Sequence, residues 1–297
     1  MTGDSEGDDE CLFVVNGEIA HPQPIGRGPW DHGFMHGGAV CGLAAHLVED
    51  AVSDHFGVEH PLVGTRLTVE IMSMVPLAPL AISAVMIKPG RRSAIAAAEI
   101  RHDGRLLVRA SSHWAASRSH PGQTDGHEAD RPDVPPRPVD ALDPGADEEM
   151  DYPRPGFNCD AVELRSVRGT TEDPGPGLIW VRLRPAVVAD RAVTPFTRAA
   201  TISDLGIAIG WEHSPSGEGF INSDVTLQLS RPVQGPWLCL DSRIHGNSAG
   251  TGFCESILSD DHGVVGRVLQ SLVETPHQLG AMAQKSSSNT TSPVTPT

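Results

Sequence analysis

Apolar and polar residues along the chain form the same sequence of patterns twice. In the first pass, a glycine-rich entry at His36-Gly37-Gly38 leads into residues 39–48, which are mostly apolar and mostly small, and this predicts a buried helix. Residues 66–71, Arg-Leu-Thr-Val-Glu-Ile, then alternate strictly, with the period of a half-buried strand. Three more strands are predicted over 79–88, 93–101 and 105–114, separated by Pro89-Gly90 and Asp103-Gly104 turns. The second pass opens at Thr194-Pro195, a helix start with proline in the first helical position. Residues 196–211 predict a nearly apolar helix, charged only at Arg198 and Asp204. Strands follow over 219–230, 236–244, 252–259 and 264–273, with Asp261-His262-Gly263 marking the last hairpin.

The two passes keep register. Gly104 and Gly263 are 159 positions apart and Pro76 and Pro232 are 156 apart, a difference that one loop indel accounts for. One long helix followed by antiparallel strands, occurring twice, is a duplicated α+β unit. A sheet curled around one central helix is the hotdog arrangement, so two tandem hotdog domains are expected, over 1–116 and 156–276. Between them, 117–155 is rich in Pro, Gly, Asp and Glu, and the end of the chain, 277–297, runs into a Ser/Thr/Pro tail. Neither has the apolar residues needed to pack.

The net charge of −16 changes this picture little, because it is concentrated. Residues 1–10 carry −5 and residues 122–151 carry −8, so the folded blocks are nearly balanced. Nothing forms the concentrated basic surface that nucleic-acid binding needs. The five cysteines, Cys11, Cys41, Cys159, Cys239 and Cys254, include no C-x-x-C pair. Their odd number argues against a disulfide framework or a zinc site and fits a reducing cytoplasm. The uncharged stretch 71–87 contains Pro76 and Pro79 and is short for a membrane span, so it reads as two strands and a turn.

Candidate chemistry begins with Asp204. It lies well inside an apolar helix, too deep to be the N-cap, a position that Thr194 already fits. A carboxylate there needs partners, and it suits a general base or a group that orients water. Gln270 shares a strand face with Val268 and Leu272, so its amide is expected to be buried and hydrogen-bonded. Asn222 falls by alternation on a polar face with Asp224 and Thr226, which predicts exposure. Through the repeat, Asp204, Asn222 and Gln270 correspond to Ala45, Arg66 and Ser111, so one site per chain is expected, in the second half. His36, Gly37 and Gly38 stand where backbone N–H groups at a helix start can meet a developing negative charge on a substrate oxygen. Lys88, Arg91 and Arg92 cluster at a hairpin and could meet phosphates, although a solvated hairpin is the better account of them. Gly246-Asn247-Ser248-Ala249-Gly250 matches G-x-S-x-G, but strand-like sequence on both sides is the wrong context for a nucleophile elbow. His32 and His36 have metal-ligand spacing, but the glycines around them disfavour a ligand helix.

Taken together, Gly28-Pro29-Trp30 with His36-Gly37-Gly38, 66–70, 88–92, 220–224, Arg231-Pro232, 237–243 and 266–271 resemble the double-hotdog acyl-CoA thioesterases, close to bacterial thioesterase II. The resemblance spans most of the folded chain. It implies an Asp on the second-half helix, a hydroxyl residue on the next strand and a Gln on the last strand. Asp204 and Gln270 match, while Asn222 stands where the hydroxyl residue is expected. The implied function is hydrolysis of an acyl-CoA thioester in lipid metabolism, without metal or organic cofactor. A homodimer or higher homo-oligomer is the expected assembly. The alternative is a non-hydrolytic acyl-thioester binding protein of lipid or polyketide metabolism. A hotdog dehydratase would need a His with an acidic partner, and no such pair is legible in the sequence.

Overall fold

The computed structural model describes residues 10–29, 31, 33–117, 135–140, 154–170, 174–211 and 219–275. The first half contains β1 (Cys11–Asn16), β2 (Ile19–Pro22), α1 (Gly37–Phe56), β3 (Leu62–Ile71), β4 (Leu80–Lys88), β5 (Ser93–His102) and β6 (Arg105–Ala116). The second contains β7 (Val162–Arg168), β8 (Gly177–Leu183), β9 (Ala186–Val188), α2 (Pro195–Ser203), α3 (Gly206–Ile209), β10 (Gly219–Asn222), β11 (Asp224–Leu229), β12 (Trp237–Gly246), β13 (Thr251–Asp260) and β14 (Gly263–Thr275). All join one sheet in the order β7-β8-β12-β13-β14-β11-β3-β6-β5-β4-β2-β1-β9, with β10 also paired to β14.

Read outward from the centre, each half lays down its strands in the same order, so the duplication in the sequence is a duplication in space. The halves meet where β3 and β11 pair antiparallel. There Thr68 faces Thr226, 158 positions away, and their hydroxyls lie 3.3 Å apart. A residue facing its own counterpart marks the pseudo-twofold axis. The helix N-caps His36 and Thr194 have the same separation. With this register, Asp204, Asn222 and Gln270 correspond to His46, Gly64 and Ser112, which corrects the Ala45, Arg66 and Ser111 of the sequence alignment. At the far edge β9 crosses over to pair parallel with β1, so the second half also holds the first half's edge strand.

Helix α1 is buried along most of its length because the sheet covers one side and α2 the other. The alternation in β5 turns Ala94, Ala96, Ala98 and Ile100 toward it, and small residues there let helix and sheet approach closely. Gly38 and Gly42 perform the same service toward α2. A Cβ on Gly38 would lie 2.5 Å from the Thr201 carbonyl oxygen, and one on Gly42 would lie 2.3 Å from its hydroxyl.

Three expectations need correction. The second-half helix is not continuous over 196–211. It ends at Ser203, turns at Asp204 and Leu205, and resumes as the single-turn α3. The strand expected over 219–230 breaks at Ser223, which separates β10 from β11. Part of the supposedly unpacked segment is also anchored. Arg137 lies over the rings of Trp180 and Trp237, and the Pro135 and Pro138 carbonyls accept from Trp180 and Arg165. The remainder of that segment, apart from residues near its ends, and the C-terminal tail lie outside the described residues, as do Trp30 and His32. Among the described residues, no helix is long and apolar enough to cross a membrane.

The helix contact generates a test. Gly38→Ala places a methyl against backbone that cannot step aside. Overpacking of this kind costs about 1–3 kcal/mol, which exceeds what alanine regains in helix propensity near a helix end. Urea denaturation of the variant should show a loss of that size with an unchanged m-value.

Candidate active site

The break in the second helix sets the site. Asp204 caps α2 at its C-terminal end with αR backbone angles, and the chain turns there so that Gly206 packs against β13 and β14. A Cβ on Gly206 would meet Ser256 Oγ at 2.5 Å and Gln270 Oε1 at 2.8 Å, so α3 can sit there only as glycine. The turn leaves Asp204 5% exposed, with its carboxylate over the N-terminus of α1. That end of α1 carries unpaired N–H groups and the positive end of the helix dipole, which favours a negative neighbour.

Partners come from β10, β14 and the start of α1. Asn222 Nδ2 donates to Asp204 Oδ1 at 2.7 Å. Gln270 Nε2 lies 3.4 Å from the same oxygen and 3.4 Å from the Asp204 carbonyl. His36 Nδ1 stands 3.3 Å from Oδ2, and Gly37 presses on the carboxylate so closely that a Cβ there would reach Oδ2 at 2.5 Å. Gln270 is fully buried, and its Oε1 has no hydrogen-bond partner among the described residues.

Asn222 reaches the site against the alternation that predicted its exposure. Asn222 pairs with Leu272 and Thr226 pairs with Leu269, a slip of one residue across Ser223. Such a slip turns the side chains before it to the opposite face. Asn222 therefore points inward beside Gln270, whereas Asp224 points outward and accepts from the Ser271 N–H at 2.9 Å.

His36 is the contact that sequence reasoning missed. It caps α1, with Nδ1 accepting from the Gly38 N–H at 2.9 Å, and its ring stacks on Phe157 at 4.3 Å. An acceptor Nδ1 places the proton of the neutral ring on Nε2. A His–acid contact thus exists, with no proton shared between Nδ1 and Oδ2, between residues too distant in sequence for any local pattern to reveal. The cap also occupies the Gly38 N–H, so Gly37 is the member of the Gly37-Gly38 pair whose N–H the cap leaves open. Arg91 and Arg92 lie exposed at the β4–β5 turn, and no contact joins them to this cluster. Ser248 lies exposed in the β12–β13 hairpin, between two strands, which is not the setting of a nucleophile elbow.

At the opposite end of the helix pair the chemistry differs. Glu49 of α1 accepts from Thr194 Oγ1 at 2.8 Å and from the Thr197 hydroxyl. Burial pushes its carboxyl up, against the two hydroxyls that favour the charged form. Ser112, the counterpart of Gln270, is already satisfied, donating to the Ala96 carbonyl and accepting from Trp114. Of the two ends, it is at Asp204 that amides gather around a carboxylate among the described residues.

Comparison with known proteins gives a consistent picture. Profiles of the acyl-CoA thioesterase N-terminal and C-terminal domains match residues 26–115 and 131–273. A candidate thioesterase from Novosphingobium aromaticivorans superposes with a TM-score of 0.63 at 21% identity, covering 89% of this chain and 98% of its own. A hot dog fold protein of unknown function from Alicyclobacillus acidocaldarius gives 0.64 at 18%, covering 92% and 99%. An acyl-CoA thioesterase II from Mycobacterium marinum gives 0.56 at 14%, covering 91% and 95%. No curated protein sequence matches the chain.

The buried imidazole makes stability depend on pH. Burial pushes the His36 pKa down, and the Asp204 carboxylate opposes this only in part. The unfolded ring takes up a proton near about 6.5, whereas the folded ring does so only at lower pH. The unfolded state therefore binds more protons in that window, and stability falls as pH drops through it. His36→Asn keeps a good N-cap and removes the titration. Its urea stability should decline less steeply than wild type between about pH 7 and pH 5. Equal slopes would exclude the ring as the titrating group.

Proposed function

Because the chain belongs to the acyl-CoA thioesterase family, whose N- and C-terminal domain profiles it matches in order, we propose that it hydrolyses an acyl-CoA thioester at Asp204. The observation that carries this reading is a buried carboxylate gripped by two side-chain amides over a helix N-terminus. In this reading Asn222 and Gln270 hold Asp204 Oδ1, which leaves Oδ2 to accept a hydrogen bond from water. That water attacks the thioester carbon as Asp204 takes its proton, and the carbonyl oxygen becomes an oxyanion. The Gly37 N–H and the α1 dipole face the developing charge. When the C–S bond breaks, Asp204 returns the proton to the leaving sulfur, giving free acid and coenzyme A. Neutral His36, with its proton on Nε2, packs beside Oδ2 without neutralising it.

The test is thiol release from acyl-CoA esters of increasing chain length. Asp204→Asn should lower turnover by about 10²–10⁴-fold, the usual worth of a positioned base, while acyl-CoA still binds. The new amide can offer its oxygen to Asn222, and it removes a charge that faces the His36 Nδ1 lone pair, so the fold should survive. Gln270→Ala should cost less. A folded Asp204→Asn protein with near wild-type turnover would remove Asp204 from the reaction. Wild-type protein that binds acyl-CoA yet releases no thiol at any length would favour the non-hydrolytic binding reading.

A second variant probes placement rather than charge. Gly37→Ala keeps every polar group but pushes the carboxylate aside. A displacement of about 1 Å should lower turnover by roughly 10²-fold, with a smaller change in acyl-CoA binding.

A further inference from the structure

Away from Asp204, near the start of α2, a cleft of about 250 Å³ is lined by Leu183, Arg184, Pro185, Ala186, Arg191, Val193 and Arg198. Three of these seven residues are arginines, in a chain whose net charge is −16. They come from separate places: the β8–β9 turn, the loop before α2 and α2 itself. Their convergence is thus a product of the fold and not of a basic run.

Among the described residues, the carboxylates that pair with them do not balance them. Glu163 lies 4.0 Å from Arg184, but it already binds Arg165 at 2.7 Å and Arg182 more closely still. One carboxylate therefore serves three guanidinium groups. Arg191 meets Asp50 at 3.4 Å with both side chains partly in solvent, and Asp50 is shared with His46. Arg198 is half-buried, and its bonds among the described residues go to the backbone carbonyls of Gly235 and Val193, at 3.1 and 3.4 Å. A guanidinium has five N–H donors in a planar fork suited to oxyanions. Three such forks around one concavity, with only shared carboxylates as ion-pair partners among the described residues, form a receptor for a small multivalent anion.

We infer that this cleft is a phosphate-binding site, taking a diphosphate or a phosphate monoester through Arg184, Arg191 and Arg198. It does not depend on hydrolysis at Asp204, which lies at the other end of α2. The phosphate can belong to the nucleotide portion of coenzyme A or to a free anion.

Calorimetric titration of the full chain with inorganic diphosphate at low salt tests the inference. One saturable site is expected, weakened by added salt. Arg184→Gln and Arg191→Gln should each weaken binding by about tenfold or more, the equivalent of one charge-assisted hydrogen bond. Both side chains are about half exposed, so these variants should fold. Arg198→Gln should weaken binding as well, but it also loosens α2 from Gly235, so the first two variants decide the matter. Competition assigns the source. Displacement of diphosphate by coenzyme A but not by pantetheine supports the site with a nucleotide phosphate as its occupant. Saturable binding of diphosphate that coenzyme A leaves untouched supports it with a free anion. No saturable binding, or wild-type affinity in both Arg184→Gln and Arg191→Gln, would overturn it.

Discussion

The close approach of α1 and α2 is the constraint on which the rest of the molecule depends. Gly38 and Gly42 leave no side chain between α1 and Thr201, so the helices touch through backbone and one hydroxyl. The contact is antiparallel, which brings the end of α2 over the start of α1. A carboxylate at the C-cap of α2 then has to lie against Gly37, and Asp204 does so. With larger residues on α1 the helices would separate, the carboxylate would lift off the helix end and the His36 contact would open.

The same approach couples the two halves of the sheet. Once the helices lie side by side about a pseudo-twofold axis, β3 and β11 can pair through the centre. The sheet then runs on from one half into the other, and β9 reinforces the join at the far edge by pairing with β1. The halves are therefore held by a helix contact, a central strand pair and an edge strand pair. Their stability is shared, and a site built from both halves is held on both sides.

Symmetry of the backbone does not carry over to the chemistry. Each end of the helix pair has an N-cap residue facing an acid from the other helix: His36 with Asp204, and Thr194 with Glu49. Around Asp204 the neighbours are amides and an imidazole with one nitrogen committed to a cap, which leaves one carboxylate oxygen less engaged. Around Glu49 two hydroxyls close on the carboxylate, and the counterpart of Gln270 is a serine satisfied within its own sheet. The first arrangement can receive a water, while the second is saturated by its own helix start. The arginine cleft lies toward the second end, so the duplicated fold presents different chemistry at its two ends.

Much of this was legible in the chain by itself, and the limits have a physical cause. Strict alternation in 66–71, small apolar residues after His36 and turn residues at Asp103-Gly104 are local signals, and they located the first half of α1, the end of β3 and the β5–β6 hairpin. The repeat followed from comparing such signals, and Gln270 was placed on a buried face by parity alone. What failed was whatever depended on a slip or a contact between distant segments. Nothing near Ser223 announces that the strand slips by one residue and turns Asn222 inward, because the partner strand imposes the slip. Nothing in the apolar run after Pro195 announces a break at Asp204, because the reward for breaking lies in Gln270, Asn222 and α1. The His36–Asp204 contact and the convergence of Arg184, Arg191 and Arg198 share that origin. Periodicity records which face of an element is apolar, whereas only the packed helices and paired strands decide which faces meet.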